Sequence, residues 1–321
     1  MQKTSCSIFL ICCLLLNCFC TSCSSFSSAK EPYPLHAEQI QNDTEFLCHT
    51  IGIRPAGTDK EAEACDWIAG ELHAAGFSTP DSFRRISFSD FREQESENAI
   101  AICNSGFDGP LFSIVAHYDS VETSPGARDN AASVAALLEI ARYLGPDHAA
   151  FPCEIRMVFL GSEENGYHGS AAYVSSLSEP EKERHLGAFN MDISAASPED
   201  EAVPVLCTLG GRKDGSYQEG DFLEPAENAV SRSVREAFQT LYGTDTGGTF
   251  HQGESDHVSF HQAELDSANI CWRRLKNGEI QLPESYHKES DTPDGLDYET
   301  VRASARCILE AIHSLSVSPQ A

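Results

Sequence analysis

Imidazole and carboxylate side chains recur in several short segments of this sequence, in combinations that can bind metal ions. Imidazole and carboxylate together suit zinc, or another borderline divalent cation, better than calcium or magnesium. A cation held in this way can lower the pKa of a bound water and polarise a carbonyl group. The segments contain His117, Asp119, Asp129, Glu163, Glu164, Asp192, Tyr286 and His287.

Predicted strands and helices alternate along the part of the chain that carries these side chains. Three apolar runs have the pattern of strands buried on both faces: Leu111–Ala116, Ile155–Leu160 and Leu186–Met191. Helical patterns alternate with them, which predicts an α/β fold in a single domain. Its central sheet would be twisted and mostly parallel, with helices on both faces. Because the carboxyl ends of parallel strands share one edge, we expect His117, Glu163 and Asp192 to lie together.

Each of these residues also has an ordinary structural explanation when it is taken alone. Asp129 precedes the helical pattern Asn130–Leu144 and could be only its N-cap. Glu163 and its acidic neighbour could form a solvated surface, and His117 could be a hydrogen-bonded core residue. Together, however, carboxylates at one sheet edge would repel one another unless cations neutralised them. The combined pattern therefore favours a metal site.

Six segments, HYDS, GARDNAAS, EEN, NMDIS, SDH and YHKESDT, occur in this order along the chain. With their spacing, they make the sequence similar to the zinc aminopeptidases of metallopeptidase family M28. The resemblance runs from about Leu111 to Asp297 and implies a zinc-exopeptidase fold with two zinc ions per chain. It implies that Asp129 bridges the two ions, that His117 and Asp192 hold one, and that Glu164 and His287 hold the other.

The resemblance also implies roles for three residues that would not bind the metals. Glu163 would be the general base and later the general acid, because it adjoins a ligand and cannot bind the same metal without strain. Asp119 would orient the imidazole of His117. Tyr286 would polarise the scissile carbonyl group of the substrate.

Two further features follow from the resemblance, and one segment departs from it. A cis peptide bond is implied between Asp129 and Asn130, while Asp256 and His257 would support the site rather than bind metal. The usual DNASG segment of the family reads DNAAS here, and Arg128 precedes it. No proposed ligand is lost, but the mouth of the substrate site could differ from that of relatives.

Two other functions compete with peptide hydrolysis. Glutaminyl-peptide cyclotransferases resemble the family, but they keep one zinc and usually have a Trp before the last histidine. Here Tyr286 stands at that position, and the only tryptophans are Trp67 and Trp272. A metal-stabilised binding protein without turnover is the other alternative, although retention of Glu163 argues against it. Dipeptidase and carboxypeptidase activities also remain open.

The charge of the chain limits its partners. The 321 residues include 22 Lys plus Arg against 49 Asp plus Glu, a net charge of −27. Such a chain repels nucleic acids and anionic lipids, but it suits metal cations and the free α-amine of a peptide. We therefore expect peptide substrates with a free N-terminus and no nucleic-acid partner. The sequence leaves the oligomeric state open, and the preferred N-terminal residue is expected to depend on loops such as 210–222 and 244–253.

The first residues predict export rather than a part of the folded domain. Residues 1–23 combine an early lysine with a short apolar run, as in a secretory signal, and then resemble a bacterial lipoprotein signal. Cys23 is the predicted lipidation site, with Cys18 and Cys20 as alternatives. We expect residues 24–34 to be a Ser-rich tether and the peptidase-like domain to span 35–321. A lipidated cysteine would attach the protein to a membrane of the cell envelope; without it, the protein would be secreted.

Overall fold

Four parallel strands form the middle of the sheet in the computed structural model, which describes residues 32–209 and 225–317. The predicted signal, most of the tether and the loop 210–222 lie outside these ranges. In spatial order the four strands are β4 (Glu154–Leu160), β3 (Leu111–His117), β5 (His185–Met191) and β8 (Ser267–Lys276). Their parallel pairing confirms the predicted α/β fold, with a sheet that is parallel in its middle.

Within the described residues the sheet has nine strands, and its two edges are mainly antiparallel. On one side lie β1 (Phe83–Ser89) and β2 (Glu95–Cys103), and on the other β6 (Val203–Thr208), β7 (Thr249–His251) and β9 (Glu279–Gln281). β2 runs antiparallel to β1 and β4, and β8 runs antiparallel to β6 and β9. Short links such as the one between β1 and β2 cannot make the crossover that parallel pairing needs.

Helices cover both faces of the sheet. One face carries α1 (Ala37–Glu45), α2 (Asp59–Ala74), α3 (Ala132–Leu144), α6 (Ala229–Tyr242) and α8 (Tyr298–Val317). The other carries α4 (His168–Ser176) and α7 (His257–Gln262). Shorter turns comprise α5 (Glu179–Glu183), the π-helical segments Phe46–Ile51 and Ala127–Ala131, and the 3₁₀ turn Pro198–Asp200. No helix within the described ranges combines the length and apolar character needed to cross a membrane.

The central strands have two buried faces, which explains their continuous apolar sequences. Along β3, Phe112 and Ile114 belong to the core under α3, whereas Val115 belongs to the core under α4 and α7. Every residue of β3 and β4 is buried. Full burial of a large apolar side chain stabilises the folded state by roughly 1.5–3 kcal/mol, so these strands contribute strongly to the stability of the sheet.

Helix ends explain where the structure departs from the predicted boundaries. The sequence pattern over 224–242 predicts a helix, and the observed helix begins at Ala229, because the Asn228 side chain accepts a hydrogen bond from the Ser231 backbone and caps it. The pattern over 59–75 predicts another helix, which ends at Ala74, shortly before Gly76, whose φ of 100° glycine adopts readily.

Candidate metal centre

The predicted site residues meet at the carboxyl ends of the central strands. His117 is the last residue of β3 and pairs in register with Leu160, the last residue of β4. Glu163 follows β4, and Asp192 follows β5 directly. The strands therefore end side by side, as the rule for parallel sheets predicts.

Asp129 lies between two histidines, with one carboxylate oxygen toward each. Its Oδ1 is 3.3 Å from His117 Nε2, and its Oδ2 is 3.3 Å from His287 Nε2. His117 Nε2 is also 3.7 Å from Asp192 Oδ1. His287 Nε2 is 3.3 Å from Glu164 Oε2. The five proposed ligands thus form two groups that share Asp129.

These separations fit donor atoms around a metal better than hydrogen bonds. Donors held at about 2.0–2.1 Å by one tetrahedral zinc ion lie about 3.3 Å from one another, beyond the usual hydrogen-bond length. Buried polar atoms without a hydrogen-bond partner in the described residues also cluster here: His117 Nε2, Glu164 Oε1, Asp192 Oδ1 and His287 Nε2. The residues present therefore fit a zinc-like cation.

Asp129 is not a helix cap, so that alternative is wrong. It has φ −120° and ψ 80°, and α3 begins after Ala131. The peptide bond between Asp129 and Asn130 is cis, as the resemblance implied. Asp291 accepts backbone hydrogen bonds from Arg128 and Asp129 at 3.0 and 3.2 Å. These contacts aim the Asp129 side chain at the histidines.

A buried arginine ties together the two loops that carry Asp119 and Asp129. The Arg54 guanidinium donates to the carbonyl oxygens of Tyr118, Pro125 and Gly126 at 2.5, 2.6 and 3.2 Å. Gly126 has φ 61°, and a Cβ there would lie 2.3 Å from the Asp129 carbonyl oxygen. Only glycine fits this close approach.

Asp119 organises the segment with the two glutamates as well as His117. Its Oδ1 accepts from the Glu163 N–H at 3.0 Å, and its Oδ2 accepts from the Glu164 N–H at 3.1 Å. Asp119 Oδ1 also lies 3.4 Å from His117 Nδ1. One buried carboxylate thus holds both backbone amides, while the two glutamate side chains join different groups of donors.

Glu163 lies deep in the site, near His117 and Asp192, with potential ligand atoms within 4.8 Å of one another. Burial raises the pKa of the Glu163 carboxyl well above its ordinary value, and the charges of Asp256, Asp192 and Glu164 raise it further, against the opposing effect of His117. A carboxyl group perturbed in this way is typical of an acid–base residue.

The surrounding carboxylates raise the pKa values of both histidines. The adjacent carboxylates of Asp129 and then Glu164 raise the pKa of His287 to about 10. Burial alone would lower the pKa of His117, but Glu163 and the other surrounding carboxylates raise it well above its ordinary value. Without a metal the histidines take up protons, which a bound cation would displace.

A cavity of about 320 Å³ opens onto these residues. Tyr286 lines it, and the Tyr286 ring stacks on His287 with centroids 3.7 Å apart. Ile193 and Leu282 supply apolar surface, and Glu254 adds a carboxylate. The cavity is large enough to admit an amino-acid side chain next to the metal ligands.

Several supporting residues could not be identified from sequence spacing. Asn130 donates to the Met191 carbonyl at 2.8 Å, and Asn269 accepts from the Asp192 N–H at 3.1 Å. His257 differs from these two residues, because the resemblance already implied that it supports the site; it is hydrogen-bonded to the Gln252 carbonyl at 2.8 Å, and burial lowers its pKa to about 4. A polar Asn within an apolar strand was the available sequence signal for Asn269, since buried amides need partners.

The sequence profile of peptidase family M28 matches residues 98–312. The chain belongs to peptidase family M28. Among curated family relatives, aminopeptidase YwaD of Bacillus subtilis is 33% identical over 225 residues, 70% of this chain and 45% of YwaD. The probable lipoprotein aminopeptidase LpqL of Mycobacterium tuberculosis is 29% identical over 63% of this chain and 42% of LpqL. The chain thus spans less than half the length of these two relatives.

Solved structures show the same fold. BSAP, a zinc aminopeptidase from Bacillus subtilis, superposes with a TM-score of 0.73 and 21% identity, over 90% of this chain and 97% of BSAP. A glutaminyl cyclase from Bacteroides thetaiotaomicron superposes with a TM-score of 0.67 and 18% identity, over 88% and 99% of the two chains. The M28 fold alone therefore does not separate hydrolysis from cyclisation.

Proposed function

We propose that this chain is a zinc-dependent aminopeptidase that binds two zinc ions. The observation that carries the proposal is the Asp129 carboxylate, whose two oxygens face His117 and His287 at 3.3 Å each. Asp192 completes one group and Glu164 the other. Two complete donor groups that share one carboxylate suit a two-metal hydrolase better than a single-zinc cyclotransferase.

Two bound zinc ions would supply an activated water and an electrophilic partner for the peptide carbonyl. Glu163 accepts the proton of that water on its carboxylate and returns it to the leaving amine. Asp119 holds the Glu163 amide in place and orients His117. The Tyr286 hydroxyl, on the cavity wall, donates a hydrogen bond to the carbonyl oxygen of the substrate.

The proposed substrates are peptides with a free N-terminus. The cavity carries the carboxylates of Glu163, Glu164 and Glu254, which attract a protonated α-amine. Aminopeptidase names among the relatives support the same substrate class. A blocked N-terminus would leave this negative charge unmatched, so acetylated peptides should be poor substrates.

The proposed location is the cell envelope. LpqL is named as a lipoprotein aminopeptidase, which supports export, and Cys23 is the proposed site of the lipid. Replacing Cys23 with Ser should move the protein from the membrane fraction to the soluble fraction. Unchanged partitioning would contradict lipidation at Cys23 and leave Cys18, Cys20 or plain secretion.

The test combines metal analysis with a substrate panel. The chelated protein is reloaded with zinc and assayed with fluorogenic aminoacyl substrates, with acetylated forms as controls. We expect two zinc ions per chain and hydrolysis of free-amine substrates only. A peptide beginning with Gln separates the alternatives: hydrolysis removes the residue, whereas cyclisation releases ammonia and keeps the chain length. A single tight zinc with cyclisation would overturn the proposal.

A further inference from the structure

Arg273 differs from the other residues around the candidate site. It lies on β8, is 2% exposed, and lines the same cavity as the proposed metal ligands. Its Nη1 has no hydrogen-bond partner among the described residues. Its neighbour Arg274 is exposed instead, with 58% of its side chain accessible.

Other buried arginines of the described chain have evident partners. Arg54 donates to four carbonyl oxygens, Arg128 pairs with Asp200 at 2.7 Å, and Arg156 pairs with Glu154 at 2.7 Å. No carboxylate within the described ranges lies within 4 Å of the Arg273 guanidinium. A buried charge without a close partner is costly, so its retention beside a cavity points to a ligand.

The chemistry of Arg273 indicates which ligand it would bind. A guanidinium presents a planar fork of donors that matches a carboxylate, and the interaction strengthens where water is excluded. Apart from the proposed zinc ions and their ligand His287, the other charged groups of the cavity are carboxylates, so Arg273 is the side chain there that suits a negative charge on the substrate. Ile193 and Leu282, which also line the cavity, suit the methylene groups of a short acidic side chain.

We propose that Arg273 binds a substrate carboxylate and makes the protein prefer peptides whose N-terminal residue is Asp or Glu. This inference rests on the proposed aminopeptidase function. The N-terminal residue is the part of such a substrate that enters the cavity, while the rest of the peptide leads outward. The α-carboxylate of a dipeptide has the same chemistry and is distinguished by the experiment.

The experiment compares Arg273→Met and Arg273→Lys with Arg274→Met, the matched change at the exposed neighbour. Zinc-loaded proteins are assayed with Glu-, Asp-, Gln- and Leu-aminoacyl fluorogenic substrates. We expect the native protein to favour Glu and Asp over Gln, and Arg273→Met to reduce that ratio of kcat/KM about 10- to 150-fold, as for loss of a charged hydrogen bond. Arg273→Lys should reduce it less, and Arg274→Met should leave the ratio unchanged.

A second arm locates the carboxylate on the substrate. The dipeptide Leu-Gly is compared with its C-terminal amide in the native and Arg273→Met proteins. If the variant loses a preference for the free dipeptide rather than for Glu and Asp, the N-terminal assignment is wrong. Equal losses for acidic and neutral substrates, together with lower zinc content, would make Arg273 a charge-balancing residue and overturn the proposal.

Binding gives a readout that does not depend on turnover. L-glutamate should raise the thermal midpoint of the native protein, L-glutamine should not, and Arg273→Met should abolish the difference. If no substrate is hydrolysed at full zinc loading, the aminopeptidase proposal fails while this measurement still tests the carboxylate site. No stabilisation by glutamate, together with no preference for Glu or Asp, would overturn the Arg273 proposal.

Discussion

The two ends of the central strands both bury charged residues, but they balance them differently. At the amino end, Arg156 Nε lies 2.7 Å from Glu154 Oε1, and Arg184 Nη2 lies 3.0 Å from Glu154 Oε2. Glu181 is the second partner of Arg156. Positive and negative groups are therefore matched within the chain at this end.

At the carboxyl end, carboxylates outnumber the groups that could neutralise them. His117 and His287 face a larger set of acids: Asp119, Asp129, Glu163, Glu164 and Asp192. Several of their atoms have no hydrogen-bond partner within the described residues. Charge balance, rather than the presence of buried charge, therefore separates a structural network from a site that needs a cation.

The largest effect, on kcat, should come from substitution at the two adjacent glutamates at the carboxyl end of the central strands, where carboxylates are in excess. Glu163→Gln removes the proposed base but keeps its size, so kcat should fall roughly 10²–10⁴-fold while zinc content is unchanged. Glu164→Gln should lose one metal instead, because it removes a proposed ligand. Zinc analysis and kinetics on both variants check this. Reversed results would exchange the two roles, and full activity in Glu163→Gln would remove the mechanism.

Removing one partner of the ion pairs at the amino end of the central strands should lower the free energy of unfolding rather than change metal binding. Arg156→Met leaves Glu181 without its arginine and Glu154 with only the more exposed Arg184, and removal of one partner of a buried pair typically costs about 3–5 kcal/mol. Urea unfolding should show this loss, while zinc content stays normal. The more exposed Arg184→Met is the control and should cost less. A change in zinc binding without a loss of stability would contradict the distinction between the two ends.

A residue supporting the metal ligands should have a smaller effect on affinity. Asp119→Asn keeps an oxygen for one backbone amide but weakens the contacts to His117, and loss of such a partner typically lowers metal affinity about 10–100-fold. Zinc titration against a competing chelator measures the change. Asp108→Asn, at an exposed loop, should leave the affinity unaltered. An unaltered affinity in Asp119→Asn would show that His117 needs no orienting carboxylate.

Some parts of the fold and of the candidate site could be predicted from the sequence, and others could not. Apolar runs predicted the central strands, and motif order predicted which residues meet at their carboxyl ends. Arg54 contacts Tyr118, 64 residues away, so no local pattern could identify it. Arg273 lies near the end of β8, and an arginine at the end of a strand usually indicates a solvent-exposed side chain. The antiparallel direction of β2 against β4 and of β6 against β8 depended on pairing between strands that are also distant in sequence.

The smallest expected effect concerns His185, at the balanced end. Burial lowers its pKa to about 3, with the charges of Arg156 and Arg184 acting in the same direction. Its Nε2 lies 2.9 Å from Ser113 Oγ, which in turn lies 2.8 Å from the Tyr173 hydroxyl. The folded protein therefore keeps His185 neutral at pH values where the unfolded chain, with an ordinary histidine pKa near 6.5, already binds a proton.

This difference fixes the sign of the pH dependence. The unfolded chain binds more protons between pH 6.5 and pH 3, so the contribution of His185 to stability is present above pH 6.5 and is lost as the pH falls toward 3. The slope cannot exceed about 1.4 kcal/mol per pH unit for one group. At pH 7 the free energy of unfolding of His185→Gln should be about 1 kcal/mol lower than that of the native protein, because the variant lacks the hydrogen bond of His185. As the pH falls from 6.5 to 4.5, however, the free energy of unfolding should decrease less in the variant than in the native protein. Urea unfolding with a chelator present removes metal loss from the comparison, and carboxylates common to both proteins cancel. Parallel stability curves for the two proteins would show that His185 is protonated in the fold, and that the amino end is less completely balanced than its contacts indicate.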